Sequence, residues 1–116
     1  MFLLEHSQTG AVMRWATYLA YFFGGAFLVN AILHFVSGVS GRPFPSPFSS
    51  PPGQSESTAV VNVLWGSLNF VIAYLLLSRV GQFALRRWRD IIIVALGGLL
   101  MAILLAQTFG QLYRGA

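Results

Sequence analysis

Three long runs of apolar residues, at about 14–37, 58–78 and 91–110, constrain the fold of this chain more than any other feature. Each run holds about 20 residues or more, enough for an α-helix to cross a hydrocarbon core about 30 Å thick. Charged residues lie outside the runs or at their edges. A bilayer requires this, because a charge at its centre costs at least ~3 kcal/mol on insertion scales. The sequence therefore predicts an all-α integral membrane protein with three transmembrane helices in a single domain, residues 1–116.

The composition agrees with a protein surrounded by lipid and argues against nucleic acid as a partner. Only 9% of the residues are charged, whereas an ordinary globular protein has about 25%. All basic residues are arginines, and they flank the apolar runs, which favours contacts with lipid head groups over binding of nucleic acid. The absence of cysteine excludes disulfides, thiolate metal sites and cysteine nucleophiles.

The arginines also predict the orientation in the membrane. Five of them lie near the N-terminal tail or in the basic loop 79–90, and two lie on the opposite side. Because cytoplasmic segments carry the excess of basic residues, we expect the N-terminus and the basic loop in the cytoplasm. The C-terminus and the proline-rich loop 38–57 then lie outside, and the predicted location is the plasma (cytoplasmic or inner) membrane.

Small residues predict how the helices pack, since close backbone approach and interhelical hydrogen bonds drive association in lipid. The second helix carries Gly66 and Ala73 near one face, with Asn62 and Asn69 close to it, so we expect this helix to be the central packing element. Small residues recur at every fourth position in the two other helices: Ala16, Ala20 and Gly24, and Gly98, Ala102 and Ala106.

Polar side chains in the three spans are expected at one level, in the outer half of the membrane. Asn30 and His34 share a face of the first helix because they are four residues apart. The candidate pocket consists of Asn30, His34, Asn62, Trp65, Asn69 and Gln107. The alternative is that these amides only join helices, at ~0.6 kcal/mol for each hydrogen bond.

His34 is the single side chain in a span that could titrate near neutral pH or ligate a haem iron. A haem with two histidine ligands would need a second one from another subunit, because His6 lies at the opposite side of the membrane. No metal site is predicted, since useful sites need three or four converging ligands. The sequence does not identify a cofactor.

The proline-rich loop is too apolar for a plain flexible linker. Phe44 and Phe48 are expected either to fold over the helix ends as a lid or, together with Arg42, to bind a partner as a strap. At its end, Ser55 or Ser57 is expected to cap the second helix.

The basic loop combines an aromatic anchor with arginines that reach phosphates, which is typical of a segment at the head groups. Its topogenic and lipid-binding residues are Arg86, Arg87, Trp88 and Arg89.

The sequence contains no hydrolase triad, phosphate-binding loop or pair of carboxylates, so a catalytic role is disfavoured. The first functional hypothesis is a structural or accessory subunit of a larger membrane complex or of a homo-oligomer. Two alternatives remain. One is a redox anchor that binds haem or a quinone at His34, and the other is an oligomeric channel or carrier lined by Asn30, His34, Asn62 and Asn69.

Overall fold

The structure is a computed structural model that describes the backbone of residues 2–114 and the side chains of residues 15–113. Its helices are α1 (Phe2–Val39), α2 (Ala59–Tyr74) and α3 (Trp88–Arg114). Within the described residues, three helical stretches are long and apolar enough to cross a membrane, which confirms the predicted number of candidate spans. These stretches are Trp15–Val39, Ala59–Val80 and Trp88–Tyr113.

The helix ends differ from the predicted ones. No proline precedes residue 43, and α1 extends back to Phe2 instead of starting near residue 14. After α2 the chain continues as a π-helical turn, Leu75–Val80. Because α3 begins at Trp88, Trp88 and Arg89 belong to a helix, and the connector shrinks to residues 81–87.

The central element is α1, so the expectation that the second helix is central is wrong. α1 packs along both α2 and α3, while α2 and α3 make almost no contact with each other. Burial within the chain falls in the same order, from 39% for the apolar window of α1 to 22% for α2 and 11% for α3. One side of α3 therefore has no neighbour among the described residues.

The interface between α1 and α3 is a contact between backbones. A Cβ atom added at Gly97 would lie 1.9 Å from the carbonyl oxygen of Phe22, and one added at Gly25 would lie 2.1 Å from the carbonyl oxygen of Val94. Both distances are far below van der Waals contact, so only glycine fits. Of the predicted small-residue stripes, Gly98 lies in this contact, whereas Gly24 faces the side chain of Leu77 on the second helical stretch.

The interface between α1 and α2 combines close approach with polar side chains. A Cβ atom at Gly66 would lie 2.6 Å from the amide nitrogen of Phe35, and one at Gly38 would lie 2.7 Å from the carbonyl oxygen of Ala59. Ala31 is completely buried beside them. Asn62 and Asn69 lie on the same face of α2 and are also completely buried.

The proline-rich segment between α1 and α2 is a hydrogen-bonded unit. Strands β1 (Phe44–Pro45) and β2 (Glu56–Ser57) pair antiparallel, and the hydroxyl groups of Ser46 and Ser57 lie 2.6 Å apart. Since Ser57 is engaged in this way, the cap of α2 is neither Ser55 nor Ser57. Instead, the side chain of Thr58 accepts a hydrogen bond of 3.2 Å from the Val61 amide.

Candidate functional site

Two pairs of polar side chains join α1 to α2 beneath the proline-rich segment. Asn30 Nδ2 donates to Asn69 Oδ1 at 3.0 Å, and His34 Nδ1 lies 2.7 Å from Asn62 Oδ1. His34, Asn62 and Asn69 are buried, and Asn30 is half-buried. The structure thus places four of the candidate pocket residues in one layer.

The hydrogen bonds of Asn62 determine which ring nitrogen of His34 carries the proton. Asn62 Nδ2 donates to three carbonyl oxygens, at 2.9 Å to Phe44, 3.1 Å to Thr58 and 3.3 Å to Ser57. A carbonyl can only accept, so the amide nitrogen must face these groups and Asn62 Oδ1 must face His34. Nδ1 of the neutral imidazole therefore donates to Asn62, and Nε2 is left as an acceptor.

Trp65 contributes an unused donor to the same region. Its indole Nε1 is the one buried side-chain nitrogen or oxygen in the described part of the chain that has no hydrogen-bond partner. The rings of Trp65 and His34 lie 6.4 Å apart in an edge-to-face arrangement. A buried donor without a partner costs about 1–3 kcal/mol, and this N–H is available to donate a hydrogen bond.

A cavity of about 300 Å³, here called the polar cavity, adjoins these groups. Asn30, His34 and Trp65 line its helical side, and the proline-rich segment closes the other side with Pro45, Ser46, Pro47, Pro52 and Gly53. Asn62 and Asn69 lie behind the wall, where they hold His34 and Asn30 in place. The described lining includes no charged side chain.

An apolar groove of about 540 Å³ lies between α1 and α3 next to the polar cavity. Val29 and Leu33 line it on α1, and Ala102 and Ala106 line it on α3. Leu105 and Phe109 line both the groove and the polar cavity.

Gln107 is not part of this site. Its side chain is exposed on α3, and within residues 15–113 it has no hydrogen-bond partner. It points away because the glycine contact of α3 with α1 sets the rotation of the helix, and Gln107 lies on the outward side.

The aromatic residues of the proline-rich segment lie over the site. The half-buried Phe44 ring packs 5.8 Å from His34 and 4.7 Å from Phe109. Phe48 is 65% exposed and packs 5.3 Å from Trp65. Arg42 is exposed at the start of the segment. Phe44 therefore lines the end of the apolar groove beside the polar cavity, and Phe48 and Arg42 lie on the outer surface of the proline-rich segment.

A second polar cluster holds the connector at the arginine-rich end. The buried Asp90 carboxylate accepts hydrogen bonds from Arg87 Nε at 2.8 Å and from the Ala84 amide at 3.2 Å. The buried Tyr21 hydroxyl donates to the Gly81 carbonyl. The hydrogen bond to Asp90 raises the pKa of Arg87 above its usual value. Sequence reasoning missed this role of Asp90, although its spacing of three residues from Arg87 was a signal.

The other residues assigned to the head-group region are exposed. Trp88 is 64% exposed, and the guanidinium carbon of Arg89 lies 5.4 Å from the centre of its ring. Arg86 is exposed as well. These positions allow contact with lipid phosphates at this end of the bundle.

No family model, curated protein or solved structure matches this chain. Among the described residues, no group of three or more histidine or acidic side chains is placed to hold a metal ion.

Proposed function

We propose that this chain is a multi-pass membrane protein that acts as a structural or accessory subunit, either of a larger membrane complex or of a homo-oligomer. The outward face of α3 is the observation that supports this role most directly. This face consists of Leu96, Leu100, Ile103 and Gln107, all exposed. It ends in an amide, and hydrocarbon offers an amide no hydrogen-bond partner.

A second helix against this face would satisfy Gln107. Amide side chains hydrogen-bond across helices in membranes, and α3 uses only its opposite side to contact α1. The outward face of α2 differs toward the proline-rich end, because its exposed residues there, Val60, Leu64, Leu68 and Val71, are all apolar. The exposed Tyr74 is the last residue of α2 and lies toward the arginine-rich end. The apolar side chains of α2 can therefore face lipid tails, whereas Gln107 on α3 needs a hydrogen-bond partner from another helix.

The proposed orientation places the N-terminus and the arginine-rich connector in the cytoplasm and the proline-rich segment outside a plasma (cytoplasmic or inner) membrane. The imbalance of five arginines against two supports it. Exposure of Arg86, Trp88 and Arg89 at the same end is consistent with contact with an anionic leaflet. The proposed partners are therefore lipids and other membrane helices.

The channel hypothesis has less support than the subunit role. Asn62 and Asn69 are completely buried and hydrogen-bonded, so they do not line an open path in this conformation. The haem hypothesis requires a second axial ligand, and His6 lies outside the residues whose side chains are described.

Photocrosslinking in native membranes tests the proposal. A photoreactive amino acid replaces Ile103 on α3 or, as the matched control, Leu64 on α2. We expect position 103 to yield a discrete adduct heavier than the 12.7 kDa chain, and position 64 to react with lipid only. Gln107→Leu is expected to reduce the adduct, and Thr108→Val, a polar-to-apolar change at the same depth, is expected to leave it. The proposal fails if position 103 gives no protein adduct.

A further inference from the structure

The polar cavity and the apolar groove lie side by side and differ in chemistry. They share the side chains of Leu105 and Phe109. The polar cavity presents hydrogen-bonding groups, and the open groove beside it is lined almost entirely by apolar side chains. This arrangement fits an amphipathic molecule with a small polar head and a hydrocarbon tail.

The hydrogen-bonding groups define the head. Trp65 Nε1 supplies a donor without a partner, and His34 Nε2 supplies an acceptor because Nδ1 donates to Asn62. Asn30 lines the cavity too and uses only one amide hydrogen for Asn69. A carbonyl oxygen in the head can accept from Trp65, and a hydroxyl in the same place can donate to His34. A quinone ring carries such carbonyl oxygens, and the quinol, its reduced form, carries such hydroxyl groups.

The electrostatics exclude charged heads. No arginine, lysine, aspartate or glutamate lines the polar cavity or the groove. Glu56 lies near the groove, at the hydroxyl of Tyr113, which donates to it at 2.7 Å. A phosphate, a fatty-acid carboxylate or an ammonium group would be an unpaired charge in the polar cavity, which is costly. The head is therefore uncharged.

The shape of the cavity favours a ring. Its walls are built from the flat side chains of Trp65, His34 and Phe109 and from prolines of the covering segment. Flat rings stack well on such walls. A volume of about 300 Å³ accommodates a single small ring.

The groove fits the tail. Ala102 and Ala106 keep it open where larger side chains would fill it. It follows α3 from Ala102 to Tyr113, which corresponds to about 16 Å along the helix axis. Phe44 and Tyr113 close it at the proline-rich end.

We propose that this chain binds a neutral lipid with a quinone-type ring, whose ring lies in the polar cavity against Trp65 and His34 and whose hydrocarbon chain lies in the groove beside Ala102 and Ala106. The site is complete within one chain, so it goes beyond the subunit role and does not depend on it. Photocrosslinking at position 103 and ligand binding at Trp65 are separate readouts, and either can fail alone.

Tryptophan fluorescence gives a direct test on the full-length protein in phosphatidylcholine nanodiscs. The chain has three tryptophans, and Trp15 and Trp88 are 69% and 64% exposed, so the variant W15F/W88F leaves Trp65 as the single reporter. Decylubiquinone, a quinone with a decyl chain, is the probe. We expect quenching of Trp65 that saturates with the probe concentration.

Substitutions on α3 separate binding from partitioning of the probe into lipid. Ala106 is exposed, and its replacement by phenylalanine fills the groove. We expect Ala106→Phe to weaken binding, so that the half-saturation concentration rises about tenfold. Ala95→Phe, exposed on the same helix but outside the groove, is the matched control and is expected to change nothing. Quenching that rises linearly without saturation, or that is equal in both variants, overturns the proposal.

Competition with decanol tests the ring. Decanol has the same chain and a hydroxyl group but no ring, so it is expected to displace the quinone only at much higher concentration. Equal displacement would show that the site reads only the chain and the hydroxyl group, and it would overturn the assignment to a quinone-type ring.

Discussion

The two interfaces of α1 solve the problem of helix association in different ways. Toward α2, α1 uses side-chain hydrogen bonds, between Asn30 and Asn69 and between His34 and Asn62. Toward α3, it uses bare backbone, with Gly25 against the carbonyl of Val94. Lipid supplies no hydrophobic force between helices, and these are the two remaining sources of attraction.

The difference explains where the cavity and the groove lie. The glycine contact holds α3 close to α1 around residues 22–25 and 94–98, whereas the helices leave space toward the proline-rich end, between Leu33 and Ala106. The polar interface lies at this same end and orients His34. One interface thus provides space for a tail, and the other provides groups for a head.

The largest expected effect is on the glycine interface. In Gly97→Val, the new Cβ would lie 1.9 Å from the carbonyl oxygen of Phe22, so α3 must move away from α1. We expect the free energy of unfolding to fall by about 3 kcal/mol, measured by SDS-induced unfolding followed by circular dichroism. Ala95→Val, on the exposed side of the same helix, serves as the control. Equal stability of the two variants would contradict the backbone contact.

The second largest effect is on the polar interface. Asn62→Leu leaves the buried Nδ1–H of His34 without an acceptor and removes the donor to Phe44. We expect a loss of about 2 kcal/mol, together with faster hydrogen exchange in residues 44–58, because Asn62 ties this segment to α2. Val60→Leu, an exposed position on α2, is the control. Unchanged exchange in the segment would show that Asn62 does not hold it.

The smallest expected effect is on the hydrogen bond between Asn30 and Asn69 in the polar interface. Asn30→Leu removes one hydrogen bond to Asn69. We expect the free energy of unfolding to fall by only ~0.6 kcal/mol, because a single interhelical hydrogen bond of a half-buried side chain is lost. A double-mutant cycle with Asn69→Leu isolates the pair. A coupling energy of zero would mean that the two amides do not interact.

Sequence reasoning reached the elements but not their mutual arrangement. It placed Asn30, His34 and Asn62 at matching depth, with Asn69 nearer the midplane, because helical rise converts sequence position into depth. It assigned Gln107 to the same level, and the structure turns this side chain outward. Depth along a helix follows from the sequence, whereas rotation about its axis depends on which face finds a neighbour.

The formation of the helices followed from the sequence, whereas their packing was decided by the tertiary structure. The apolar runs, with the arginines at their ends, determined three helices long and apolar enough to cross a membrane, because the preference of each residue for hydrocarbon or water is a local property. Only the tertiary structure made α1 the central helix, because Gly25 had to meet the backbone of Val94 and Gly97 the backbone of Phe22. The structure also left the groove beside Ala106, and the hydrogen bonds of Asn62 fixed His34 at the wall of the polar cavity. Such fits exist only between elements.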